Sequence, residues 1–158
     1  MRDIAIASDH GGFELKQEIK DLLEEEGLVC IDFGTSNGES VDYPDYAEKV
    51  ASAVSQREIK RGILICGTGI GMCIVANKFP HVRAGQCYDT YTARMSREHN
   101  DSNILVLGGR TTDKETAREI VKTWLNTEFT EGRHRRRINK ITDIENKMKG
   151  LSSWEDIA

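Results

Sequence analysis

Short apolar runs alternate with amphipathic segments from the start of this chain to about residue 126. Nothing else restricts the fold as strongly. Strands separated by helices at short intervals imply a parallel sheet covered on both faces. The apolar runs are Asp3–Ser8, Leu28–Phe33, the run opening at Gly62 and giving way at Cys66, Val82–Tyr88 and Asn103–Leu107. Helical periodicity marks Phe13–Glu26, with Phe13, Leu15, Ile19, Leu22 and Leu23 on its apolar face and Gly27 as its stop. The same pattern marks Asp45–Arg57, after a polar loop over Gly34–Pro44, and then Met72–Lys78, Thr90–Asn100 and Asp113–Asn126, the last opened by Thr112 and Asp113 as caps.

In open sheets of this kind, ligands bind beyond the carboxyl ends of the strands. That rule collects Asp9 and His10 after the first strand and Cys66–Gly71 after the third. It adds Tyr88 and Asp89 after the fourth, and Arg110 after the fifth. Within this set, Cys66-Gly67-Thr68-Gly69-Ile70-Gly71 stands out: glycine takes every second place between a strand and a helix. Such a loop presents backbone N–H groups and a helix start to an anion. It is not a P-loop, because no Gly-Lys-Ser/Thr closes it. Its G-x-G-x-G spacing is also not the dinucleotide fingerprint.

The chain of 158 residues carries a formal charge of −4, which argues against general nucleic-acid binding. No apolar run approaches the roughly 20 residues of a membrane span, and no secretory signal is expected at the first residues. A cytoplasmic location with reduced thiols follows as an expectation. Of the four cysteines, Cys30, Cys73 and Cys87 lie in apolar stretches and are expected to be small core residues. Their spacing with Cys66 fits no zinc motif, so neither a metal nor a cofactor is expected.

Cys66 is the candidate nucleophile or base. A thiol beside a helix start ionises more readily, and a thiolate can take a proton from a carbon made acidic by a carbonyl. The loop amides would then hold the developing oxyanion; comparable donors are worth about 3–4 kcal/mol each in acyl-transfer enzymes. His10 and His99 stand where a ligand could reach them. Arg133 and Arg137, four apart in the basic run Glu131–Arg137, would point the same way on a helix and suit a phosphate. A thiol base, an anion hole, a histidine proton donor and an arginine clamp are what an aldose–ketose isomerase acting on a phosphorylated sugar requires.

The segments IAIASDHGGFELK, VDYPDYA, GILICGTGIGMCIVANK, SREHNDSNILVLGGR and EGRHRRRI carry a resemblance to the family of ribose-5-phosphate isomerase B and the galactose-6-phosphate isomerase subunits. The resemblance implies a three-layer α/β/α sandwich around a Rossmann-like five-stranded parallel sheet. It implies cofactor-independent interconversion of D-ribose 5-phosphate and D-ribulose 5-phosphate through an enediolate, a step of the pentose phosphate pathway. By the same resemblance Cys66 moves the proton, and His99 with Thr68 assists ring opening. Asp9, His10 and Asn100 touch the sugar, Gly67, Thr68, Gly69, Ile70 and Gly71 hold the enediolate oxygen, and Arg110, Arg133 and Arg137 bind phosphate. Tyr43 flanks the sugar. Met72 stands where one branch of the family has a glutamate, so this chain resembles the cysteine branch. Family members are dimers, sometimes tetramers, with sites shared between subunits and no nucleic-acid or membrane partner.

Residues 138–149 read as a charged helix with Ile138, Ile141, Ile144 and Met148 on one side, reaching toward a partner subunit. The domain is expected to span residues 1–150. Residues 151–158 form a tail whose Ser152 and Glu155 fit a capping box that would set Trp154 in a final turn. The rival readings are a hexose-phosphate isomerase acting on galactose 6-phosphate or allose 6-phosphate, and a non-catalytic sugar-phosphate-binding protein.

Overall fold

The computed structural model describes residues 4–150, so the expectations for the tail, Trp154 included, lie outside the described residues. Five parallel strands form one sheet in the order β2-β1-β3-β5-β4. They are β1 (Ile4–Ser8), β2 (Cys30–Asp32), β3 (Arg61–Cys66), β4 (Ala84–Gln86) and β5 (Ile104–Gly108). The central strands read as continuous apolar runs because helices cover both faces. Side-chain parity divides them: Ile4, Ile6, Ile63, Ile65, Leu105 and Leu107 face one layer. Ala5, Ala7, Leu64, Cys66 and Val106 face the other.

The first layer is built by α1 (Phe13–Glu25) and α5 (Lys114–Asn126), the second by α2 (Tyr43–Ser55) and α3 (Ile70–Ala76). Each fully buried Leu or Ile contributes about 1.5–3 kcal/mol here. Helix α4 (Thr90–Asn100) packs beside α5, and α6 (Arg133–Lys149) touches the body mainly through α4. This is the expected three-layer α/β/α arrangement, with β1 and β3 side by side at its centre and their following helices on opposite faces. That divergence opens a crevice at the carboxyl ends of these two strands.

Several boundaries differ from those expected. The edge strands β2 and β4 keep only three residues each, because each has a neighbour on one side alone. Helix α2 starts at Tyr43 rather than Asp45: Pro44 falls in its first turn, where its missing N–H has no partner to lose. Helix α3 starts at Ile70 rather than Met72, directly from the glycine loop. Helix α6 starts at Arg133 rather than Ile138, so the basic run lies inside it, after Gly132 at φ +76°. Phe13, expected on the apolar face of α1, is only half-buried.

A buried cation stabilises the approach to the crevice. Lys16 of α1 is 1% exposed; its Nζ donates to both Asp32 oxygens, at 2.9 and 2.8 Å, and to the Thr35 carbonyl at 2.6 Å. Burial alone would raise the Asp32 carboxyl. The hydrogen bonds from Lys16, Lys20 and the Gly34 N–H overcome it and hold the group below the usual carboxylate range. The ion pair anchors the start of the loop that leads to Val41.

Candidate active site

Three loops meet at the carboxyl rim of the sheet. Asp9 N–H donates to the Ile65 carbonyl at 3.3 Å, Gly109 N–H to the Cys66 carbonyl at 2.7 Å and Arg110 N–H to the Gly67 carbonyl at 3.0 Å. Asp9, 7% exposed, accepts from the Gly12 N–H at 3.1 Å and so caps the 3-10 turn His10–Gly12. His10 Nδ1 accepts from the Val41 N–H at 3.2 Å, which leaves Nε2 as the ring's donor. The Arg110 guanidinium lies over Gly67: a side-chain carbon added there would sit 3.6 Å from its nitrogen.

Cys66 ends β3 and is 4% exposed, so the thiol lies at the rim but beneath the loop. Its Sγ accepts from the Gly69 N–H at 3.2 Å. Gly69 adopts φ +84°, a left-handed conformation that suits glycine, and this turn aims its N–H back at the sulfur. Thr68 Oγ1 accepts from the Ile70 N–H at 3.4 Å. The N–H groups of Gly67, Thr68 and Gly71 have no acceptor among the described residues, so they remain available to an anion. Gly71 is pressed against the Tyr43 ring; a side-chain carbon there would come within 2.6 Å of it. Asp9, His10, Cys66–Gly71 and Arg110 are thus brought together, with Tyr43 as their wall. Of the other rim residues, Tyr88 is 66% exposed, and Asp89 is occupied in capping α4.

The structure puts His99, Asn100, Arg133 and Arg137 elsewhere. Helix α4 begins beyond the carboxyl end of β4 and runs back for 11 residues, about 16 Å. It ends where Asn103 holds the Gly62 and Arg83 N–H groups, at the amino ends of β3 and β4. His99 and Asn100 therefore lie at the edge of the sheet opposite to Cys66. The α6 start joins them there: Thr130 N–H donates to the Glu98 carbonyl at 3.0 Å, and His134 stacks on His99 at 4.2 Å between ring centroids. Burial, then the charges of His99, Arg133 and Arg137, push the His134 imidazole down from its usual value. Arg133 and Arg137 are both exposed.

A helix start at Ile138, as the sequence pattern suggests, passes over His134. Extending the apolar stripe back four places would have found it, since His134 and Ile138 are the buried residues of α6. Gln86 also belongs to the site, without any mark in the sequence pattern; its Nε2 donates to the Thr68 carbonyl at 2.5 Å. Of the cysteines expected in the core, Cys87 is buried, but Cys30 and Cys73 are only half-buried. Burial, then the Asp32 charge, pushes the Cys30 thiol up to about 11, and burial is also the first cause of the rise at Cys73 and Cys87. These three stay protonated at neutral pH.

The far half of α6 carries Ile141, Ile144 and Met148, 48–60% exposed, along a groove of about 800 Å³ facing Phe79 and Val82. No helix among the described residues is long and apolar enough to cross a membrane.

The sequence model of the family described as Ribose/Galactose Isomerase matches residues 4–141. The chain is 48% identical to ribose-5-phosphate isomerase B of Escherichia coli over 147 residues, covering 93% of this chain and 99% of that one. It is 43% identical to D-erythrulose-4-phosphate isomerase of Pectobacterium atrosepticum over 150 residues, covering 94% and 99%. The solved structure of ribose-5-phosphate isomerase B of Clostridium thermocellum is similar with a TM-score of 0.91 at 56% identity, over 92% of this chain and 99% of that one.

Proposed function

The chain belongs to the ribose/galactose isomerase family and is an aldose–ketose isomerase; from that premise we propose that it interconverts D-ribose 5-phosphate and D-ribulose 5-phosphate, with Cys66 as the base. The observation that carries this reading is the Gly69 N–H aimed at Cys66 Sγ, 3.2 Å away, with free loop amides beside it. The Cys66 thiolate takes the proton from C2 of the open-chain aldose. The C–H electrons form the C1–C2 double bond, and the negative charge moves onto O1. The N–H groups of Gly67, Thr68 and Gly71 receive that charge without reorganising. The O2 proton then passes to O1, the Cys66 thiol returns its proton to C1, and the charge left on O2 collapses into the C2 carbonyl of the ketose. The low exposure of Cys66 keeps water from the enediolate.

In the same proposal Asp9 and the Nε2–H of His10 orient the sugar hydroxyls, and Arg110 draws the phosphate toward the loop. Ring opening needs an acid, and His99 with Thr68 is assigned that task, with Asn100 holding the ring. His99, Asn100, Arg133 and Arg137 lie at the opposite edge of the sheet from Cys66, so a second copy supplies them. The active form is then a dimer, or a tetramer of such dimers. A two-fold axis places the same pair of clusters in both sites. The exposed apolar side of α6 supports this assembly, since such stripes favour burial against a partner. The domain occupies residues 1–150. We take it to work in the cytoplasm, where charged sugar phosphates are retained because they do not enter lipid.

Turnover assays with separate sugar phosphates test the proposal. The parent protein is expected to convert ribose 5-phosphate, and Cys66→Ala to lose roughly 10³-fold or more in kcat with phosphate affinity kept. Turnover of galactose 6-phosphate or allose 6-phosphate alone would move the assignment to hexoses. No turnover with any of them would leave a binding protein.

A further inference from the structure

We propose that Gln86 is a positioning residue for Cys66, acting through the one peptide group that joins Thr68 to Gly69. The carbonyl of this peptide accepts from Gln86 Nε2 at 2.5 Å. Its N–H, carried by Gly69, donates to Cys66 Sγ at 3.2 Å. A carbonyl only accepts, so the Gln86 amide is turned with its NH₂ toward it. Electron density drawn onto the Thr68 oxygen makes the Gly69 N–H a better donor, and such chains strengthen in poorly solvated surroundings. A stronger donor to sulfur favours the thiolate over the thiol.

The peptide cannot turn aside. Gly69 is left-handed, and a side-chain carbon there would meet Gln86 Nε2 at 3.0 Å and the Leu107 carbonyl carbon at 3.1 Å. The Thr68 carbonyl is packed against Gly108, where an added carbon would stand 2.8 Å from its oxygen. Gln86 ends β4, two strands from β3, so its side chain spans the end of β5 to reach the loop. Cys73 of α3 faces the sulfur, and the other titratable groups of this rim are Asp9 and His10 of the first loop, Tyr43 of α2 against Gly71, and Arg110 over Gly67. Gln86 meets Cys73 through its backbone N–H, which a side-chain substitution retains.

The inference rests on the reading of Cys66 as base, so its test includes a readout independent of turnover. Iodoacetamide labelling of the native protein across pH, with Cys66 followed by mass spectrometry of its peptide, measures the ionisation of that thiol alone. Gln86→Met keeps the length and removes the donor. The labelling midpoint of Cys66 is expected to rise by about one pH unit, and kcat/KM at pH 7 for ribose 5-phosphate to fall about tenfold with KM nearly unchanged. Gln86→Glu, which sets a carboxylate against the Thr68 carbonyl, is expected to raise the midpoint further. Gln86→Asn, too short to reach, serves if the methionine variant does not fold. An unshifted midpoint in the folded variants overturns the inference, even where thermal stability falls. A shifted midpoint with undiminished turnover leaves the relay standing and overturns Cys66 as the base.

Discussion

The two polar clusters of this molecule are built in opposite ways. The carboxyl-rim cluster around Cys66 is held by backbone: its loops are tied by main-chain hydrogen bonds of 2.7–3.3 Å, and Cys66 is 4% exposed. The cluster at the other edge of the sheet consists of side chains on the ends of two helices. It holds two exposed arginines, fixed through one stacked histidine pair and a helix that meets the body mainly through α4. Proton transfer to carbon tolerates little displacement, and a stiff loop suits it. A phosphate is a large, symmetric charge that mobile guanidinium groups can grip. The difference teaches that the two clusters are of unequal rigidity; under the proposed function the stiff one carries the chemistry, the looser one the binding, and a second copy brings them together.

The largest test of this division is a mixing experiment. Cys66→Ala and a double variant, Arg133→Ala with Arg137→Ala, are each expected to be nearly inactive. Unfolded together and refolded at equal amounts, they should recover about a quarter of parent activity, because half the dimers then carry one intact site of two. Recovery that stays at the level of the separate variants would mean that the clusters do not meet across subunits.

A smaller effect is expected from Arg137→Ala alone. Losing one charged hydrogen-bonding partner should raise KM for ribose 5-phosphate roughly 10- to 100-fold, with kcat changed much less. A fall in kcat with unchanged KM would place the residue in the chemistry instead, and erase the contrast drawn above.

The smallest effect is on pH. His134 has its folded value lowered, first by burial and then by His99 and the two arginines. Its contribution to the docking of α6 is therefore present above the unfolded histidine value of about 6.5 and is lost as pH falls through the lower folded value. Between pH 7 and 5, KM is expected to rise a few-fold. His134→Phe, which keeps the stack without the proton, should flatten that rise.

Most of the sheet was legible because burial on both faces turns β1, β3 and β5 into unbroken apolar runs, and the glycine loop was legible because only glycine alternates there. The edge strands were overestimated: Val82 and Tyr88 look like strand residues, but β4 has a single neighbour and pairs for three residues. The start of α6 was hidden by charge, since Arg133–Arg137 show no apolar period until His134 is counted with Ile138. Gln86 carried no local signal at all. Its importance depends on a carbonyl 18 positions away, reached across the end of another strand. The grouping of Asp9, His10, Cys66 and Arg110 follows from topology; the separation of His99 from them is not in the sequence reading, because it depends on the direction in which α4 runs back along the sheet.

The alternation of side chains along β3 has a consequence for how such an enzyme can change. Ile63 and Ile65 point to one layer, Leu64 and Cys66 to the other, so the sulfur's side is set by the sorting of its greasy neighbours. One amino acid inserted or deleted between Gly62 and Ile65 would reverse that parity and send the Cys66 sulfur toward α1 and α5. Gene-length variation should therefore gather in the surface connections and leave this run untouched.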